Sequence, residues 1–175
     1  RIWRQWMAWL ANIMSMRFRG IDPDRILDRL DPWFGWLFSV PAAAGVAVLV
    51  SSALLLVLVN FDVFRGKLPE FQQFFASGNW IWLAVALGFT KVLHEFGHGL
   101  SCKHFGGECH EMGVMLLVFT PCLYCDVSDS WMLPSKWQRA AIGAAGMYVE
   151  LILASLATFL WWNSHPGVFN QLCLD

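Results

Sequence analysis

The sequence predicts an all-α polytopic membrane protein. About three transmembrane helices are expected, with a short re-entrant or β-hairpin segment between the second and third. Three observations carry this. Charged residues make up only 14% of the chain and hydrophobic ones 57%, where a soluble domain carries about 25% charged residues. Three stretches approach the roughly 20 apolar residues that cross a bilayer. Eleven tryptophans and fourteen phenylalanines supply lipid-facing and interfacial surface. The net charge of −1 gives no basic field, so no nucleic-acid partner is expected. The chain opens on Arg1 without a signal-peptide pattern and reads as an excerpt of a longer protein.

Residues 1–35 are expected to form an interfacial or juxtamembrane segment. Trp3, Trp6 and Trp9 among arginines suit a helix lying in the interface, and the tail of an upstream domain would read the same way. Ile21-Asp22-Pro23-Asp24 and Asp31-Pro32 bracket a short capped helix, Arg25 to Leu30. Residues 36–175 are expected to form the membrane-embedded core. Its first span, Val40 to Val59, lies in a stretch uncharged from Pro32 to Phe61. Twenty residues at about 1.5 Å each match the hydrocarbon thickness, and Pro41 suits a first helical turn.

The second span starts near Asn79 or Trp80 and runs to about Cys102, with Gly106-Gly107 marking its end. Lys91, His94, Glu95, His98 and Cys102 fall within an arc of roughly 100° on a helical wheel. A polar stripe on an apolar helix faces protein or a water-filled cavity. The third span, about Trp137 to Trp162, begins with small residues from Ala140 to Gly146 that permit close packing. Glu150 lies inside it. An acid there is a functional hypothesis, with a protonated or hydrogen-bonded structural glutamate as the plain alternative. Met112 to Phe119 is apolar but too short to span, and Pro121 and Pro134 bracket the adjoining stretch. A strand or hairpin here would offer a pairing edge. Nine basic residues flank one side of the spans and two, Arg65 and Lys67, the other. The N-terminus is therefore expected in the cytosol, with the histidines toward the cytosolic end of their helix.

His94-Glu95-Phe96-Gly97-His98 carries the chemistry. Two histidines four apart share a helix face and can hold one zinc ion. Glu95 can serve as general base toward a metal-activated water. A catalytic zinc takes three protein ligands and one water, so His94 and His98 would be two of three. Cys122 and Cys125 form a lone CxxC beside Asp126 and Asp129. A packing role fits it better than metal or redox chemistry. Cys102, Cys109 and Cys173 show no pattern, and disulfides are not expected on a cytosolic face. His104 and His110 read as solvated loop histidines, Lys91 as a snorkelling or ion-paired lysine, and His165 carries no assignment.

These residues resemble the site-2 protease family of intramembrane zinc metalloproteases. The resemblance rests on HEFGH at 94–98, the following Gly99 and the AAG at 144–146, and covers roughly Asp22 to Asp175. The stretch 109–139 looks closest to a bacterial branch of peptide zinc metalloproteases associated with secretion adaptor proteins. The resemblance implies a three-span core in the bacterial inner membrane, a Zn2+ cofactor, and an active site near the cytosolic face. It implies cleavage of transmembrane or membrane-associated peptides, unwound and paired to an edge strand for which 112–120 is the candidate. Two departures stand out. The family's third ligand, an aspartate before glycine, has no counterpart, since Asp-Gly occurs nowhere; that ligand is expected beyond Asp175. Where many members carry Pro and Asn after AAG, this chain has Met147-Tyr148-Val149-Glu150. Two rivals remain. A membrane di-iron oxidase would need more histidine boxes than five histidines supply. A catalytically silent peptide-binding scaffold of a secretion or export system would keep the fold without the cleavage.

Overall fold

A computed structural model describes residues 15–67, 80–117 and 120–164. In chain order the elements are β1 (Ser15–Ile21), α1 (Asp24–Phe34), a 3-10 turn (Gly35–Phe38), α2 (Val40–Val59) and α3 (Phe61–Lys67). There follow α4 (Trp80–His104), β2 (Met112–Leu117), β3 (Thr120–Cys125), a second 3-10 turn (Ser128–Met132) and α5 (Lys136–Asn163). The fold is mostly helical, but the all-α expectation is corrected by a small antiparallel sheet in the order β1-β2-β3.

Among the described residues two helices, α2 and α5, are long and apolar enough to cross a membrane. Only 6% of the most apolar window of α2 is buried, and 22% of that of α5. The core helix of a soluble protein would be mostly buried, whereas Val48, Leu54, Leu55 and Leu58 of α2 point outward. Pro41 lies in the first turn of α2, where its missing N–H leaves no intrahelical bond unmade. The third expected span exists as a 25-residue helix, α4. It is not among the helices apolar enough to span on composition alone, because Lys91, His94 and Glu95 interrupt its apolar run.

The chain divides into two compact units, Arg1–Trp36 with Glu95–Gly146, and Leu37–His94 with Met147–Asp175. In the first unit the expected helix near Arg25 extends to Phe34 and contains Pro32, the residue expected to stop it. The expected interfacial helix over residues 1–20 is corrected at its end, where Ser15–Ile21 is a strand; residues 1–14 lie outside the described residues. Arginines and aromatics there suit either element, and pairing with β2 decides between them. At Gly20 the two strands come so close that a Cβ would sit 1.8 Å from the Met112 carbonyl oxygen. The pairing is irregular between Phe18 and Ile21, and a side chain at Gly20 has no room.

The expected hairpin is present, with Met112 opposite Cys125 and Leu117 opposite Thr120. Its first strand is not the free edge anticipated for 112–120. β2 pairs on both sides, so β1 and β3 are the outer strands of the described sheet. Pro121, which has no N–H to donate, sits in β3 as an outer strand allows. The end of α4 also follows the sequence. Gly106 adopts φ +88°, the Gly106 N–H bonds Lys103 O at 2.9 Å, and the Gly107 N–H bonds Cys102 O at 2.9 Å. This is a Schellman-type stop.

Lys103, in the last turn of α4, donates to both oxygens of Asp24 at 2.8 and 2.9 Å and lies 2.9 Å from Asp28. The Cys109 N–H adds a bond to Asp24 at 3.3 Å. This clamp fixes α1 against the end of α4. The Lys103 bond, aided by that amide and opposed by burial, holds the Asp24 carboxyl below its ordinary value of 3.8. A carboxyl depressed in the folded state adds stability that is complete above the unfolded value and lost as pH falls through the folded one. Thermal unfolding of the detergent-solubilised protein should therefore show lost stability below about pH 4. Lys103→Ala should remove that step and cost about 1–2 kcal/mol at neutral pH.

In the second unit, the Tyr148 hydroxyl donates to Leu37 O at 2.9 Å and its ring lies 6.0 Å from Phe38. The buried Trp161 meets Phe64 of α3 edge-on at 5.2 Å. α3 itself falls in a stretch expected only to connect two spans.

Candidate active site

The motif begins with helix geometry. α4 is continuous from Trp80 to His104, so His94 and His98 stand one turn apart on one face and Glu95 lies beside them. All three are half-buried. Glycines make close packing possible around them. Gly97 and Gly99 are buried, and a Cβ at Gly99 would meet Leu27 Cδ1 at 3.0 Å and Cys125 Sγ at 3.4 Å. One turn beyond Glu95, the helix therefore rests on α1 and on the end of β3.

Each histidine has one ring nitrogen facing an acceptor. His98 Nδ1 lies 2.7 Å from the carbonyl oxygen of Ile142 in α5. A carbonyl only accepts, so Nδ1 carries the proton and Nε2 is left as the basic nitrogen. His94 Nδ1 lies 3.0 Å from Glu150 Oε1, an ion-pair contact whose angle does not make it a hydrogen bond. Imidazoles that bind metal typically donate their other N–H to a carbonyl or carboxylate, which fixes ring orientation and raises ligand basicity. Two imidazoles one turn apart on α4, one of them hydrogen-bonded through Nδ1 to a carbonyl, are of the kind that could hold a zinc ion. Lys91 Nζ lies 2.7 Å from the same Glu150 oxygen and offsets the cost of placing a carboxylate in an apolar helix. Lys91 is thus ion-paired, as one of its two expected roles required, and Glu150 is the partner that sequence reasoning could not name.

Other flagged residues fall elsewhere. Cys122 and Cys125 are three apart on a strand and so point to opposite faces; the CxxC does not converge. Cys125 instead lies 3.1 Å, sulfur to sulfur, from the buried Cys109, and both are free thiols. The hydrogen bond to Cys109, together with burial, pushes the Cys125 thiol far up; either sulfur can donate in the pair. His104 is not a loop residue but ends α4, its Nδ1 3.7 Å from Asp31 Oδ1. His110 remains exposed, 3.1 Å from Glu108. With Asp129 these two bring three ligand-type atoms within 4.8 Å of one another, a grouping no sequence spacing announced. His165 and Cys173 lie outside the described residues.

A family model described as peptidase family M50 matches residues 82–171, a stretch that contains the whole motif and Glu150. The chain is 27% identical over 126 residues to an uncharacterized protein of Methanocaldococcus jannaschii, an alignment covering 67% of this chain and 33% of that protein. It is 24% identical over 127 residues to a Bacillus subtilis protein named "Putative peptide zinc metalloprotease protein YydH", covering 72% of this chain and 46% of that one. The chain thus spans less than half the length of either relative. No solved structure matches it.

Proposed function

The chain belongs to peptidase family M50, the site-2 protease family, and from that premise we propose that it is the core of an intramembrane zinc endopeptidase. The observation that supports this best is the pair of acceptors behind the histidines, Ile142 O and Glu150 Oε1. Two solvated histidines would have no need of them. His94 and His98 hold the zinc ion. When bound, the ion supplies Lewis-acid polarisation and a lowered pKa for water. Glu95 takes the proton of the attacking water and hands it to the departing amine. A third protein ligand is required to complete such a site.

In this proposal α4 is a third span beside α2 and α5, its polar face turned away from lipid. The site opens toward the cytosol in the bacterial inner membrane. The substrate is a transmembrane or membrane-associated peptide that must leave its helix to be cut. The outer edge of β3 in the described sheet is the surface to which it pairs as an added strand, since Cys125 of that strand adjoins Gly99. A secretion adaptor is the proposed partner.

Cleavage of a membrane peptide by the full-length protein should be lost on treatment with a zinc chelator and restored by zinc at one equivalent per chain. Stoichiometric zinc without cleavage across a panel of membrane peptides would instead favour a silent peptide-binding component of an export system. Cleavage unaffected by complete zinc removal would end the metallopeptidase reading.

A further inference from the structure

We propose that Glu150 is a positioning residue for His94, acting through the imidazole to fix its tautomer and orientation for metal binding. The inference rests on the zinc reading and deepens it. Oε1 of Glu150 is 3.0 Å from His94 Nδ1 and 2.7 Å from Lys91 Nζ. One carboxylate oxygen thus faces both a metal-ligand candidate and a cation one turn before it on α4. The His94 side chain retains only 19% of its exposure and that of Glu150 29%, so water competes weakly for the contact.

The arrangement assigns distinct tasks. Lys91 ion-pairs with the carboxylate and holds it beside His94. From its 3.0 Å contact the carboxylate would, on a small rotation of either side chain, accept the Nδ1 proton of His94 and leave Nε2 as the ligand nitrogen. An acceptor carrying full charge raises the basicity of the opposite nitrogen, and losing such a partner lowers metal affinity. Glu150 does not itself touch the reacting atoms in this assignment. A carboxylate is a stronger acceptor for an imidazole N–H than an amide oxygen.

The test measures zinc affinity by chelator competition on the full-length protein in detergent, for the wild type, His94→Ala, Glu150→Ala and Glu150→Gln. Helical content and thermal midpoint of the zinc-free forms are recorded alongside. His94→Ala should lose stoichiometric zinc. Glu150→Ala should weaken zinc about 10- to 100-fold. Glu150→Gln keeps the size and an accepting oxygen and should lose less, about 3- to 10-fold. This graded rescue is something a purely structural role would not produce in metal affinity. If the alanine variant fails to fold, the glutamine variant decides alone. Wild-type affinity in either folded variant overturns the proposal and leaves the zinc site standing. Loss in Glu150→Gln as complete as in His94→Ala makes Glu150 a direct ligand and overturns it too. Full zinc in His94→Ala removes the zinc site itself, and the role of Glu150 with it.

Discussion

Glu95→Ala is expected to lower cleavage of a membrane peptide by about a hundredfold to ten-thousandfold, the range a lost general base removes. Zinc should stay bound at the wild-type level. The two effects separate because Glu95 sits beside the histidines on α4 but is not needed to hold the ion. His94 and His98 keep their acceptors, Glu150 Oε1 and Ile142 O, in the variant. Single-turnover cleavage with parallel metal analysis is the measurement. Cleavage at the wild-type rate would remove Glu95 from the mechanism. Loss of both zinc and cleavage would show that Glu95 helps hold the metal and is not only a base.

The second large effect is on the fold. Gly20→Ala would place a Cβ 1.8 Å from the Met112 carbonyl oxygen and 2.6 Å from the Gly113 Cα. Both neighbours are backbone, so neither can swing aside as a side chain tip could. β1 must shift or unpair from β2, at a cost of about 3 kcal/mol. Hydrogen exchange of the β1 and β2 amides should rise sharply, while the amides of α2 stay as protected as before. Unchanged protection of β1 would mean that the sheet tolerates the methyl group.

The two glycines that meet at that crossing were silent in the sequence, and the reason is general. A close backbone approach needs a partner strand, and one sequence does not say which strand that is. The helices were legible because their cues are local. Val40–Val59 is uncharged throughout, and Gly106 carries the left-handed turn that ends α4. The shared face of His94 and His98 was legible because both lie on one helix, four residues apart. Glu150 was visible as an anomaly in an apolar stretch, but its partners are 56 and 59 residues away in the chain. The clamp from Lys103 to Asp24 was missed for the same reason, as was the pairing of Cys109 with Cys125 across a turn. The preference for packing over metal chemistry at the lone CxxC agrees with its place on a strand, where a three-residue spacing diverges.

The two imidazoles differ in what stands behind them, and the difference bears on how the site can change. The partner of His94 is a side chain, which one codon change can replace with a weaker or stronger acceptor. The partner of His98 is the main-chain oxygen of Ile142, which every amino acid supplies. No substitution at position 142 deletes that acceptor; only a slide or rotation of α5 can withdraw it. One imidazole is therefore open to adjustment by point mutation, and the other is protected from it and answers only to helix movement. Variation in metal affinity among related chains should accordingly track the residue at position 150, while the grip on His98 reports whether α5 is seated.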